Sequence, residues 1–279
     1  MKHILWLIIL SIMFFSCTDE DNKGNLTYCI LQPNQNNQMF EALVNGCMKA
    51  ARENPIAEKY NINIKTIFPE SQNKTEYDQI VADKIEDAKS NFIAGIMINP
   101  INSKSLEISL MKGILEGVKI FTIESDMPNS LRYSYFGPNN YEYGKQLGVE
   151  TIIETYASGY VAILTNDVNN VADKQRIQGI LDKINEEYYV YIALAKDGIV
   201  YTDGTPQDAK EKFLKFNSEH HVDVWVIINS TLFLNDNLFP FAPGSVKIVA
   251  CDGIPSQLDY MNKGYINAIV ACDYYSMGS

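Results

Sequence analysis

Asp252 closes an apolar run, Val246-Lys-Ile-Val-Ala-Cys-Asp-Gly253, in which β-branched residues give way to a carboxylate and a glycine. Other apolar runs end in the same way. Asn36, Asn37 and Gln38 follow the first, Asn99-Pro100 ends the third, and Glu124-Ser125-Asp126 ends the fourth. Asn229 and Cys272-Asp273 end two later runs. A carboxylate accepts from two neighbouring hydroxyls and an amide donates and accepts at once, so tips of this kind suit a ligand rich in hydroxyl groups. A buried hydrogen bond to a charged group contributes about 1.5–3 kcal/mol, and a handful reaches the roughly 8 kcal/mol that micromolar binding needs. Asn, Asp and Gly also end strands simply because turns require them. Against that plainer reading stands the number of tips that carry amides or carboxylates. Phe40 and Tyr141 are aromatics that could cover an apolar sugar face, or belong to core and rim.

Catalytic signals are sparse. His220 and His221 sit at the end of a helical pattern, where a surface or helix-dipole role fits them. No Ser lies in a Gly-x-Ser-x-Gly elbow, and Glu124 and Asp126 are paired in sequence without any need to converge. No metal-ligand spacing appears. Neither Gly-x-Gly-x-x-Gly nor Gly-x-x-x-x-Gly-Lys is present to cradle a phosphate. No enzyme activity, metal or cofactor is expected.

The elements that must hold these tips alternate. Apolar strand patterns at 26–31, 61–68, 92–98 and 118–123 are separated by helical patterns. The helix from Met39 places Phe40, Leu43, Val44, Cys47, Met48 and Ala51 on one face. Asn73-Lys-Thr-Glu76 reads as a capping box ahead of Tyr77, Ile80, Val81, Ile85 and Ala88. Ser103–Glu116 is a third helix. A second series follows, with helices at 141–156, where Leu147, Val149, Ile152 and Ile153 are available for burial, and at 173–184. Its strands are 133–136, 160–164, 188–194, 222–228, 246–252 and 265–273. Thr205-Pro206 starts another helix as cap and first turn, and 230–241 is a weak helical pattern interrupted by Asn235, Asp236, Asn237 and Pro240. Strands alternating with helices predict parallel sheets covered on both faces, here in two successive units joined near Phe136-Gly137-Pro138.

The net charge is −11, and without a basic stripe nucleic acid is excluded as a partner. Lys2 and His3 precede an apolar run, Ile4–Phe15, too short to anchor in a bilayer, which reads as a signal-peptide core. The Ser16-Cys17 junction resembles a bacterial lipobox, which would make Cys17 the lipidated residue after cleavage; the other reading is an ordinary signal peptide with an incidental cysteine. Residues 18–25 then form a polar, acidic tether. Cys29, Cys47, Cys251 and Cys272 fall in apolar patterns as buried thiols. A Cys251–Cys272 disulfide is an alternative only in an oxidising compartment.

Several motifs together resemble the type I periplasmic sugar-binding proteins, the ribose-binding proteins among them. They are Ile98-Asn-Pro100, Phe121-Thr-Ile-Glu-Ser-Asp-Met-Pro128, Tyr135-Phe-Gly-Pro-Asn-Asn-Tyr141 with Gly144, Val161-Ala-Ile-Leu-Thr165, Arg176-Ile-Gln-Gly179 and Val246–Gly253. The resemblance spans about Leu26 to Gly278. It implies an α/β fold of two Rossmann-like lobes joined by crossovers at a hinge, with 26–137 plus 273–279 as one lobe and 138–272 as the other. It implies a sugar in the cleft, delivery to the permease of an ABC transporter or signalling to a membrane kinase or chemoreceptor, and a lipid-anchored monomer in the cell envelope. Ligand contacts are implied at Asn37, Phe40, Asn99, Glu124, Lys174, Arg176, Asn229 and Asp252. This sequence departs from the family pattern with Ser125 for Arg, Met39 for an aromatic and Cys272 for Gln. The family also continues with a helix beyond Met277-Gly278, so the chain is expected to be truncated or incompletely stable alone. Asp252→Ala is expected to abolish binding with little loss of folding, the carboxylate facing a wet cleft.

Overall fold

A computed structural model describes residues 26–32, 38–68, 74–90, 93–100, 104–166, 170–186 and 191–279. Cys17, Asn36, Asn37, the signal and tether region and the Asn73 cap lie outside the described residues.

The first lobe is a five-stranded parallel sheet in the order β2-β1-β3-β4-β5. Its strands are β1 (Thr27–Leu31), β2 (Asn63–Ile67), β3 (Ile93–Ile98), β4 (Ile120–Ile123) and β5 (Ser134–Phe136). Its connections carry α1 (Gln38–Glu53), α2 (Pro55–Lys59), α3 (Lys74–Ser90) and α4 (Lys104–Leu115). The second lobe repeats the plan with five parallel strands in the order β10-β9-β8-β6-β7. They are β6 (Ser158–Thr165), β7 (Tyr191–Tyr201), β8 (Val224–Ile227), β9 (Lys247–Asp252) and β10 (Ala268–Ala271). With them go α5 (Asn140–Glu154), α6 (Val171–Glu186), α7 (Pro206–Glu219) and α8 (Pro255–Asn262). A short helix, α9 (Tyr274–Gly278), follows β10 and returns to pack on α1 of the first lobe. The alternation of strand and helix is that read from the sequence. Central strands covered on both faces need continuous apolar runs, and all four residues of β8, Val-Trp-Val-Ile, are buried.

Local chemistry explains the helix starts. Thr205 caps α7 by accepting from the Asp208 amide, with Pro206 in the first turn as the sequence predicts. Asn139 caps α5 by accepting from the Glu142 amide. The buried face of α1 is Met39, Phe40, Leu43, Val44, Gly46 and Cys47, close to the predicted stripe.

Three local expectations are corrected. The 230–241 segment forms only a 3₁₀ turn, Ser230–Leu234, because its Asn and Pro residues end it. Strand β7 runs past Leu194 to Tyr201: Asp197 takes a left-handed φ of 56°, and the Lys196-Asp-Gly198 stretch is absorbed as a register shift against β6. On α5 the buried residues are Asn140, Tyr143, Leu147 and Thr151, with Gly144 and Gly148, and Ile153 is exposed. That face is set by α6. A Cβ at Gly144 would strike the Arg176 carbonyl, and one at Gly179 would strike the Tyr141 carbonyl. The glycines of both motifs therefore let two helix backbones touch. Gly46 and Gly278 do the same between α1 and α9, facing the carbonyls of Tyr275 and Leu43.

One apolar cluster joins the lobes, running from Met39, Phe40 and Leu43 of α1 to Leu232, Phe233 and Phe239 of the second lobe. Polar contacts accompany it: the Ser256 amide donates to Gln38 Oε1 at 3.4 Å and the Ser230 hydroxyl lies 3.3 Å from Met39 Sδ. Among the described residues no helix is long and apolar enough to cross a membrane.

Candidate functional site

The carboxyl ends of the two sheets face each other, and a single guanidinium lies between them. Arg176, on the inward face of α6, is buried. Its Nε donates to Asn140 Oδ1 at 2.8 Å, and its Nη1 donates to the Ile228 carbonyl, at the tip of β8, at 3.3 Å. The Tyr143 ring lies 4.9 Å from its centre as a cation–π platform. Two carboxylates flank it: Asp252 Oδ1 is 3.7 Å from Nη1 and Glu124 Oε1 is 3.7 Å from Nη2. Both are ion pairs too long for a direct hydrogen bond. Nη2 is buried and, among the described residues, has no hydrogen-bond partner.

The backbone beneath each carboxylate is strained. Glu124 has φ 65° and Asp252 φ 81°, a left-handed conformation costing about 1–2 kcal/mol for an L-residue. Each is held there by its surroundings. The Glu124 amide donates to the Phe136 carbonyl at 2.9 Å, while the Tyr135 hydroxyl donates to the Glu124 carbonyl at 2.8 Å. Beside Asp252, the buried Gln257 accepts from the amides of Gly253 and Ile254, both at 2.9 Å. Its own amide donates to the Cys251 carbonyl at 2.7 Å. The Asp252 amide donates to the Tyr143 hydroxyl at 2.7 Å. Strain retained by so many bonds marks a position whose side-chain direction is fixed.

Electrostatics follow from burial. Burial raises the Glu124 carboxyl above its ordinary range; Arg176 opposes this and Asp252 adds to it, while hydrogen bonds from Ser125 and Asn99 lower it. Burial works against the charge on Arg176, but Asp252 and the other anionic groups around it outweigh that penalty and hold the guanidinium charged. Burial pushes the Cys251 thiol well up and the Cys272 thiol up to about 11. All four described cysteines are free.

The residues singled out in the sequence fall into two groups. Phe40, Asn99, Glu124, Arg176 and Asp252 meet at the lobe boundary. Phe40 lines, with Met39, Leu43, Glu124 and Tyr274, a narrow gap too tight for a water molecule. Asp252 is buried at 4 % exposure, which corrects the picture of a wet strand tip. Lys174 is exposed: residues two apart on a helix point to different sides, so Arg176 facing inward turns Lys174 out. Asn229 accepts from the Thr231 amide at 2.9 Å and donates to Asn166 Oδ1 at 2.7 Å, acting as a turn cap beside the cluster. Asp126 does not converge with Glu124. It holds Arg132 through two hydrogen bonds of 2.5 and 2.6 Å and accepts from Thr122 at 2.8 Å. Burial would raise its carboxyl, but Arg132 and Thr122 bring it below the usual range. Tyr141 bonds Asp182 on α6 at 2.9 Å, away from the cluster. His221 pairs with Asp223 at 3.0 Å on the surface.

Asn140, Tyr143 and Tyr274 belong to the cluster and were missed. Asn140 lies within, and Tyr143 just after, the Tyr135–Tyr141 motif, in which neither is given a role, and nothing local marks Tyr274. Among the described residues no group of three or more His, Cys, Asp or Glu could hold a metal ion.

Two parallel α/β lobes closing over a buried polar cluster define a two-lobed binding architecture. The family described as periplasmic binding protein domain matches residues 28–279, and the chain belongs to that family. No curated protein matches it. Among solved structures it is similar to GanP, a glucose-galactose binding protein from Geobacillus stearothermophilus, with 21 % identity, TM-score 0.75 and coverage of 91 % of this chain and 87 % of that one. It is also similar to an ABC transporter solute binding protein from Burkholderia graminis solved with D-arabinose, with 21 % identity, TM-score 0.74 and coverage of 92 % and 86 %. The XylFII–LytSN complex contains a third, with 18 % identity, TM-score 0.72 and coverage of 91 % and 89 %. At these identities the likeness is one of fold.

Proposed function

We propose that this protein captures a small sugar between its lobes and delivers it to an ABC transporter, from the outer side of a membrane to which Cys17 anchors it. The observation that carries the reading is the pair of strained carboxylates, Glu124 and Asp252, on either side of Arg176, whose Nη2 has no hydrogen-bond partner among the described residues. A hydroxyl group both accepts and donates, so one placed near Nη2 satisfies the guanidinium and a carboxylate together. Among the described residues the site shows no nucleophile–base pair, which favours binding over turnover. The neighbours solved as glucose-galactose and D-arabinose binders agree with a sugar as the ligand class. A second reading, signalling to a membrane sensor, draws support from the neighbour that assembles with a second protein, LytSN.

Calorimetry against D-arabinose, D-xylose, D-glucose and D-galactose tests the first reading. Binding of at least one is expected, and Asp252→Asn, which tolerates the left-handed backbone, abolishes it. Failure of all four to bind would count against a sugar. Asp252→Ala is not benign for folding, contrary to the sequence-based expectation. It leaves a buried guanidinium short of one carboxylate and places alanine at φ 81°, and removing one partner of a buried pair costs about 3–5 kcal/mol.

A further inference from the structure

The hydroxyl of Tyr274 donates to Asp252 Oδ1 at 2.7 Å, within the cleft where the proposed sugar would bind. Tyr274 is buried and lines the empty space beside Met39, Phe40, Leu43 and Glu124. That space is too tight to hold even a water molecule, far short of the roughly 300–1,000 Å³ of ligand pockets. The phenol is tied firmly to the first lobe. Asp273 caps α9 by accepting from the amide and hydroxyl of Ser276 at 3.0 and 2.6 Å, and the Gly46 and Gly278 contacts seat α9 against the backbone of α1. Asp252 belongs to the second lobe, so this bond crosses the cleft.

We propose that Tyr274 is a specificity-determining residue, an internal phenol that occupies Asp252 and that a ligand hydroxyl must replace. The inference rests on the sugar-binding reading above. A ligand bringing one hydroxyl to Asp252 only exchanges one hydrogen bond for another. Net affinity comes from a ligand that also reaches Arg176 Nη2, which the described protein leaves without a hydrogen-bond partner. The threshold therefore selects polyhydroxyl ligands over simple alcohols, and it lowers affinity for all of them.

The test is calorimetry of the full chain, Tyr274→Phe and Asp252→Asn against the same four sugars. Tyr274→Phe keeps the ring and removes the competing donor. Since a hydrogen bond to a charged group is at stake, its tightest sugar is expected to bind about tenfold more tightly than to the unaltered chain, with a lower melting temperature in the absence of sugar. Binding by Tyr274→Phe alone would support the inference equally. If a sugar binds the unaltered chain, is lost in Asp252→Asn and binds Tyr274→Phe no more tightly, the inference is overturned while the sugar reading stands. If none of the three proteins binds any sugar, the sugar reading falls and takes the inference with it. Should Tyr274→Phe fail to fold, Tyr274→Leu, which also lacks the hydroxyl, reads the same affinity change.

Discussion

The two walls of the cleft are made of different materials. The second lobe presents Arg176, Asp252, Asn140 and Tyr143, each held by a hydrogen bond to another element. The first lobe presents the apolar side of α1, with Met39, Phe40 and Leu43, and the Glu124 carboxyl. Directional bonds lose their value with small displacements, so the polar wall needs rigid supports and has them in Gln257 and the α5–α6 contact. Dispersion contacts are individually small and tolerate sliding, which suits a wall that meets its counterpart across a lobe boundary. Direction is supplied by one wall and contact area by the other.

That contrast breaks in three places. Arg176→Met should have the largest effect, a loss of about 3–5 kcal/mol, because two buried carboxylates then face each other without the cation between them; urea denaturation measures it. A loss within ±0.5 kcal/mol would mean the polar wall is not electrostatically organised around Arg176. Phe40→Ala, in the apolar wall, should cost about 3 kcal/mol as a cavity, read in the same way. Its effect should be insensitive to salt and pH, whereas that of Arg176→Met should change as the carboxylates titrate. Glu124→Gln should have the smallest effect. The folded carboxyl titrates above its ordinary value of 4.5, so the folded state holds its proton to higher pH than the unfolded chain. This group's contribution therefore falls as pH rises from about 4.5 through the folded value. Glu124→Gln should flatten that slope and be neutral to slightly stabilising near pH 7. Denaturant midpoints measured across the window check the sign, and a variant that loses stability relative to the parent as pH rises would reverse it.

Much of this arrangement is legible in the sequence because it is local. A strand that ends in Asp252-Gly253, Asn99-Pro100 or Glu124-Ser125 announces its tip, and the alternation of strands and helices puts such tips at one end of a parallel sheet. Arg176 is found through its motif. Lys174 lies outside the cluster by simple helical geometry, since the face holding Arg176 cannot also hold a residue two positions earlier. Asn229 stands beside the cluster, because an amide at a strand end serves equally well as a turn cap, and here it bonds Thr231 and Asn166. Tyr143 and Tyr274 were invisible because their meaning is non-local. Each meets Asp252 from more than twenty residues away, and neither carries a signature that distinguishes it from a core tyrosine.

The glycine contacts have a mechanical consequence. Helices separated by side chains can shear by switching rotamers, but α5 and α6 touch through backbone at Gly144 and Gly179 and have no such layer to deform at that crossing. Asn140, at the very start of α5, grips Arg176 within a few residues of the Gly137–Asn139 passage between lobes. Torque applied at that passage is therefore delivered to the guanidinium almost undiminished, as through the short arm of a stiff lever.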